Sequence, residues 1–344
     1  MFHETGIMVR NPAVQIINCI ENWDLEKPAL RFVVYGRPGT GKSITLAHIT
    51  HYGHSQGFIT MTFSQIKKWM TRYYEIAPST YKTGHVDHIV NSNIFLKNFK
   101  QANQKLLSNP SLKTHRDYVW SARERTVSGS PLMDIIDMGC ERLAFAADAL
   151  NIVIRELKLN CEAGHCKLMV VCDGVNSLFS EQTLVNKEKK EWENGPWTAE
   201  SLWIKNCARV DECTVLRNFK KLFANDYKNA VIVTSACVGA KIYNISEKPD
   251  PGHRWYISQE RQMVPSFDSH LPFNLLGEEG WRLFDPFVPV QTENYSEAEL
   301  DAMISYYVER KYIKEESGSR AGRQEIHFLT GRNPGDFFNY SNSF

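Results

Sequence analysis

Gly36-Arg37-Pro38-Gly39-Thr40-Gly41-Lys42-Ser43 reads G-x-x-x-x-G-K-S, the spacing of a phosphate-binding loop. Its flanks suit that reading. Leu30-Arg31-Phe32-Val33-Val34-Tyr35 precedes it as a short, mostly apolar and β-branched run, a buried strand, and Ile44-Thr45-Leu46-Ala47-His48-Ile49 opens a helix. Glycines let backbone N–H groups converge on phosphate oxygens with no Cβ in the way, and the helix N-terminus adds unpaired donors and the positive end of its dipole. Lys42 is placed to reach the β- and γ-phosphates and the Ser43 hydroxyl to hold Mg²⁺. The loop predicts binding of a nucleoside triphosphate or its diphosphate.

The 344 residues allow one large α/β domain with additions or two domains. Charged residues make up 23% and the formal net charge is +1. A duplex-binding domain that works through phosphates alone carries a clear basic excess, so any contact with nucleic acid here has to be local. No apolar run reaches the roughly 18 residues of a membrane span. The start, Met1-Phe2-His3-Glu4-Thr5-Gly6, carries an acid and lacks the Arg- and Ser-rich pattern of an organelle transit peptide. Either the chain stays in the cytosol or a targeting segment is missing from this sequence. Cys172 and Cys237 lie in apolar runs, which suits reduced thiols. Cys161, His165 and Cys166 lack a second pair at zinc-finger spacing, and His48, His51 and His54 drift off one helix face.

A second nucleotide signature follows at Lys167-Leu168-Met169-Val170-Val171-Cys172-Asp173, an apolar strand ending in Asp. At the C-terminal end of a parallel strand beside the loop, Asp173 is placed to hold Mg²⁺ with Ser43. A further strand, Ala230-Val231-Ile232-Val233-Thr234-Ser235, belongs next to the loop strand. Its hydroxyls, Thr234 and Ser235, are then candidates to sense phosphate or water, or else simply close a strand end.

The rest of the chain divides around this core. Asn11-Pro12 reads as a helix cap and first turn for a helix with Val14, Ile17 and Ile20 on one face. Residues 1–63 take in that helix, the loop and the alternating strand Phe58–Phe63. Residues 64–130 read as a helical insertion, which explains why Lys42 and Asp173 stand so far apart. Residues 131–285 complete the core. They begin with one long helix from Leu132 to about Leu159, its apolar residues recurring at three and four. Two long loops, Glu181–Glu200 and Tyr243–Leu271, belong to the same span. Residues 286–344 form a small helical lid, with Ser296, Glu297 and Glu299 capping a helix to Arg310.

Hydrolysing ATPases of the additional-strand P-loop type place Glu after the Asp of the second signature, to polarise water. Here Gly174-Val175-Asn176 follow, with no carboxylate until Glu181. No catalytic residue is assigned, and turnover is expected to be at most slow. No N/T-K-x-D sequence occurs, so the residues alone do not choose ATP over GTP.

Several segments in order resemble one family. They are Gly6-Ile7-Met8-Val9-Arg10-Asn11-Pro12-Ala13, the loop itself, Phe95-Leu96-Lys97-Asn98-Phe99, Tyr118-Val119-Trp120 and Gly129-Ser130-Pro131-Leu132. Val171-Cys172-Asp173-Gly174-Val175-Asn176 and Leu283-Phe284-Asp285-Pro286-Phe287 complete the set. Together they are similar to the death-associated protein three family, nucleotide-binding proteins of the small subunit of the mitochondrial ribosome, from about Gly6 to Pro334. The resemblance implies an AAA/STAND-type P-loop NTPase core with a C-terminal lid, Thr330-Gly331-Arg332-Asn333-Pro334 resembling that class's lid motif. It implies a guanine nucleotide, GTP or GDP, in preference to ATP, which with the missing carboxylate makes the chain at most a slow GTPase. It also implies a matrix location in the subunit head, near large-subunit proteins, and a link to apoptosis. Members carry a longer, targeting N-terminal region, so the mitochondrial expectation comes from the resemblance alone. Contacts with rRNA would run through Lys97, Lys100, Lys105, Lys113, Arg116, Arg123 and Arg125, interleaved with Tyr118 and Trp120, if these are more than a solvated face. The alternative is a signalling P-loop NTPase acting off the ribosome.

Overall fold

The computed structural model describes residues 6–64, 66–180, 182–186, 207–240 and 269–342. The chain opens with α1 (Asn11–Glu21), β1 (Leu30–Tyr35), α2 (Lys42–Ser55) and β2 (Ile59–Phe63). Arg10, in extended conformation, is the residue that caps α1, and Asn11 is already helical. Next come α3 (Lys67–Thr71), a hairpin of β3 (Ala77–Pro78) and β4 (Val86–Asp87), and α4 (Ile89–Leu107). A second hairpin, β5 (Tyr118–Val119) and β6 (Arg125–Thr126), leads to α5 (Leu132–Glu141) and α6 (Ala146–Glu162). After β7 (Leu168–Cys172) and the pair β8 (Gln182–Asn186) and β9 (Cys207–Arg209) come α7 (Thr214–Leu222) and β10 (Ala230–Ser235). The chain closes with α8 (Pro272–Phe284), β11 (Val288–Gln291), α9 (Glu297–Glu309), α10 (Arg320–Thr330) and α11 (Pro334–Ser341).

Five of these strands form one sheet in the order β11-β1-β10-β7-β2, every pairing parallel. β10 therefore lies between the loop strand β1 and the Asp173 strand β7, the additional-strand arrangement of a P-loop NTPase core. Because side chains alternate across a strand, the near-continuous apolar runs divide between two layers, as expected of a parallel sheet covered on both faces. Phe32, Val34, Met169, Val171, Val231 and Val233 pack with Ile16 and Ile20 of α1 and Leu46 and Ile49 of α2. Val33, Leu168, Val170, Cys172 and Ile232 face the opposite layer with α4, α5, α6 and α7.

Three expectations change. The long helix predicted from Leu132 to Leu159 is broken: Arg142 is extended and a 3₁₀ turn, Leu143–Phe145, separates α5 from α6. An unbroken helix would run about 40 Å at about 1.5 Å per residue, roughly twice the length of strands of five or six residues at about 3.3 Å each. Folding back buries both apolar stripes instead, and Gly139 permits the close pass: a Cβ there would lie 2.4 Å from Leu96 Cδ1 and 2.6 Å from Ala149 Cβ. The insertion over residues 64–130 is only partly helical. Its long helix α4 buries Leu96, Phe99 and Leu107 in the main core layer, where its apolar stripe finds cover. Finally, β11 comes from the span assigned to the lid, because Val288–Gln291 completes the sheet beside β1. The separate C-terminal cluster is Leu300, Ile304, Tyr307, Ile313, Ile326 and Phe337. Of the two long loops, Glu181, the residues from Lys187 to Glu200, and those from Tyr243 to Asp268 lie outside the described residues.

Candidate functional site

The loop emerges from the C-terminal end of β1 and closes at Gly41, which caps α2. Gly39 and Gly41 have φ of 80° and 96°, in the left-handed region that only glycine adopts freely. The loop thus turns twice before the helix starts, and Lys42 and Ser43 become the first residues of α2. Lys42 is buried, its Nζ donating to the carbonyls of Gly36 and Arg37 at 2.8 Å each. Burial lowers its pKa, and nearby Cys237 and Asp173 oppose that shift. The Arg37 side chain is exposed.

Asp173, the residue after β7, meets the loop across β10. Ser43 Oγ donates to its Oδ2 at 2.7 Å, and Ser235 donates to its Oδ1. The Ser235 hydroxyl in turn accepts from the Gly174 N–H at 2.9 Å. A serine hydroxyl and a carboxylate meeting at a helix N-terminus are hard oxygen donors suited to Mg²⁺. Ser43 and Asp173 are the residues that would hold it, with Ser235 fixing the carboxylate. Thr234 does not join them: its hydroxyl donates to Phe32 O at 3.0 Å and is fully buried, so it ties β10 to β1. Strand alternation turns one of two adjacent hydroxyls into the sheet. Thr40 is likewise turned inward, donating to Arg37 O at 2.8 Å and lying 2.7 Å from Thr292 Oγ1.

The position where a water-polarising Glu would stand is closed by backbone geometry. Gly174 has φ of 73°, and a Cβ there would sit 3.0 Å from Ala240 Cβ. Asn176 is held at both ends by Cys237, donating to its carbonyl and accepting from its N–H at 2.9 and 3.1 Å. Gly174→Glu is therefore expected to cost about 1–2 kcal/mol in the left-handed region and to leave nucleotide turnover unchanged. Thermal unfolding and a phosphate-release assay check both; a gain in turnover would refute the reading.

Sequence reading missed the groups behind the loop, whose carbonyls are bonded from outside. Arg10 Nη1 donates to Thr40 O at 2.8 Å, Asn333 Nδ2 to Pro38 O at 2.9 Å, and Gly335 N to Gly39 O at 2.9 Å. Thr292 N donates to Tyr35 O at 2.8 Å. Arg10 also donates to Glu299 Oε1 at 3.1 Å and Glu293 O at 3.0 Å, and its guanidinium stacks 4.8 Å from the centre of the Tyr295 ring. Contact is tight enough that a Cβ on Gly36 would fall 2.3 Å from Thr292 O, and one on Gly39 2.2 Å from Asn333 Oδ1. The signal for this was present in the Gly6–Ala13 and Thr330–Pro334 segments but carried no hint of what they touch. Lys67 was also missed. It donates to Gly239 O at 2.8 Å, and like Lys42 its charge acts on Cys237, placing a second cation on the Asp173 side.

Three of the residues named for RNA contact have partners within the chain. Tyr118 donates to buried Glu156, and Trp120 Nε1 donates to Thr126 at 2.9 Å while packing on Phe145. Lys100 is paired with Asp137 at 2.5 Å. Within the hairpin, short strands turn the aromatic faces toward the core.

A family model described as mitochondrial ribosomal death-associated protein 3 matches residues 7–193, more than half of the chain. The chain belongs to that family. It is 32% identical to small ribosomal subunit protein mS29 of Bos taurus over 335 residues, covering 97% of this chain and 75% of that one. Against the mS29 of Mus musculus it is 30% identical with the same coverage. Among solved structures, the Cdc6p of Pyrobaculum aerophilum aligns over 98% of this chain and 61% of its own length, at 12% identity and a TM-score of 0.37. The matched span of the death-associated protein 3 family takes in the loop, Asp173 and Asn176. The groups that clamp the loop from behind, Thr292, Glu299, Asn333 and Gly335, lie beyond it, except Arg10.

In this family member, Asp173→Asn is expected to weaken Mg²⁺-dependent nucleotide binding about tenfold, through loss of one charged oxygen ligand worth about 1.5 kcal/mol. Binding without Mg²⁺ should change little. Titrations with and without EDTA read the difference, and equal losses would remove Asp173 from the metal site.

Proposed function

We propose that this chain is a structural component of the small subunit of the mitochondrial ribosome, located in the matrix, that holds GTP or GDP with Mg²⁺ in the Gly36–Ser43 loop and hydrolyses it slowly or not at all. Family membership and the mS29 relatives support the ribosomal part. One observation carries the nucleotide part: Ser43 and Asp173 are brought to 2.7 Å at the mouth of the loop, while left-handed Gly174 stands where a water-activating carboxylate would be needed. Both features support a site that binds nucleotide and turns it over slowly, with Gly174 and not a carboxylate following Asp173. Its ligand then acts as part of the fold, since one present at about 100 times its Kd adds roughly 2.7 kcal/mol to the folded state. The partners are neighbouring ribosomal proteins, proteins of the large subunit at the intersubunit face, and rRNA at local cationic surfaces. No helix among the described residues is long and apolar enough to cross a membrane.

Native purification followed by sucrose-gradient sedimentation and identification of the bound nucleotide tests both parts at once. GTP or GDP in the small-subunit fraction is the expected result. Nucleotide-loaded protein sedimenting free, or as its own oligomer, would put an off-ribosome signalling NTPase in its place.

A further inference from the structure

α6 and α7 lie side by side and run the same way. Asn218 Nδ2 donates to Asn151 Oδ1 at 2.8 Å near one end, and Lys158 Nζ donates to Lys221 O at 3.0 Å near the other. Between these two ties the facing stripes are positive. α6 contributes Arg155 and Lys158, one turn apart, and α7 contributes Arg217 and Lys221 at i and i+4. Arg217 and Lys221 are exposed and Arg155 is half-buried. Arg116, from the segment before β5, joins them: it and Arg155 both act on the charge of Tyr118.

Only Lys158 has an acidic partner, Asp226 at 2.5 Å. Arg116, Arg155, Arg217 and Lys221 have none among the described residues. The nearest carboxylate of α6, Glu156, is buried and spent on His115 and Tyr118. The crowding is felt within the patch. Lys221 titrates below the ordinary lysine value, first through partial burial and then because Arg217, Lys158 and Arg155 repel its charge.

Like charges at i and i+4 destabilise a helix, which offsets the favourable place of Lys221 in the last turn of α7, so the surface adds little to the stability of the chain. The whole molecule carries a formal charge of only +1, which makes four unpaired cations in one place a local departure and not a general basicity. Arginine forks suit phosphate oxygens. We propose that the Arg116–Arg155–Arg217–Lys221 surface on α6 and α7 is an RNA-backbone binding site. It deepens the ribosomal reading above by placing its rRNA contact on these helices, away from the nucleotide loop and away from the Lys97–Lys105 face of α4. It reads phosphates and carries no base specificity of its own.

The test compares the full chain with the double variant Arg217→Gln, Lys221→Gln. Binding of a short fluorescein-labelled single-stranded RNA is followed by anisotropy between about 50 and 200 mM salt. The expected result is a log–log salt slope shallower by about 1.4, at about 0.7 per phosphate contact, and affinity lower by roughly 25-fold near 0.1 M salt. Thermal stability should change little, because relief of repulsion offsets the loss of a cation from the last turn of α7. A fall in stability would mark the two residues as structural and overturn the site. So would an unchanged affinity and slope, or binding of polyglutamate as tight as that of RNA, which would make an acidic protein segment the partner. Any of these counts against the surface whether or not the parent chain travels with the small subunit; that sedimentation by itself judges the ribosomal reading.

Discussion

Lys42→Ala is expected to weaken nucleotide binding by about 1.5–3 kcal/mol, roughly 10- to 150-fold in Kd. Lys42 is the cation at the start of α2, held by two loop carbonyls at 2.8 Å. The substitution removes both the charge aimed at the phosphates and the tie that shapes the turn at Gly36 and Arg37. Lys67 lies outside the loop and is engaged with Gly239 O, so it does not make the contacts with Gly36 and Arg37 that Lys42 makes. Stability gives a second readout. Guanine nucleotide at about 100 times the parent's Kd adds roughly 2.7 kcal/mol to the parent, but only about 0.4 kcal/mol to a variant whose Kd has risen about 100-fold. Titration calorimetry and nucleotide-dependent melting measure the two independently. A variant that keeps the full nucleotide-dependent shift would show that the loop is not the binding site.

Arg10→Ala is expected to cost about 2–4 kcal/mol, since charged hydrogen bonds contribute about 1.5–3 and the loss leaves partners unpaired at a half-buried junction. The side chain of Arg10 is 11% exposed and that of Glu299 27%. One guanidinium connects three parts of the chain: Thr40 in the loop, Glu293 and Asn294 after β11, and Glu299 in the first turn of α9. Glu299 also closes the capping box of α9, accepting from Ser296 N at 2.8 Å while its own N–H donates to Ser296 Oγ at 3.1 Å. The damage should therefore be local first, with faster amide exchange in α9, α10 and α11 and weaker nucleotide binding, while β7 and β10 stay protected. Uniform loss of protection would refute the clamp. The same junction carries a pH dependence. Burial pushes the Glu299 carboxyl up, but its bond to Arg10, its contacts with Ser296 and the Arg10 charge outweigh burial and leave it below the usual carboxylate range. A depressed carboxyl stabilises the fold above its unfolded pKa, about 4.3, and that contribution is lost as pH falls through the lower folded value. Arg10→Ala should flatten this acid limb.

The clamp also explains why the ends of the chain matter to a site near its beginning. Carbonyls of Pro38, Gly39 and Thr40 point away from the phosphate side and need donors. Asn333, Gly335 and Arg10 supply them. A phosphate held in the loop as proposed and the C-terminal helices behind it would act on the same short backbone segment, so nucleotide binding and the docking of these helices would be energetically coupled.

What the sequence determined by itself is local and periodic. The strand–loop–helix around Lys42, the apolar strand ending in Asp173 and the Ser296 cap all follow from residue type and spacing, because glycine freedom, strand alternation and capping are properties of neighbours in the chain; the place of β10 beside β1 follows only once the P-loop architecture is assumed. The family was legible in the same way, from short segments in order. What only the tertiary structure decided depends on groups far apart in sequence. The break between α5 and α6 follows from the short strands these helices pack on and the close pass at Gly139. β11 joins the sheet from a span that reads as lid. Thr234 and Ser235, adjacent and chemically alike, part company because one faces Phe32 and the other Asp173. Arg10 finds Thr40 and Glu299 across 30 and 289 residues, and the cations of α6 and α7 become one surface only when the helices pack. Pairings of that kind are set by where the core places each element, and no local pattern encodes them.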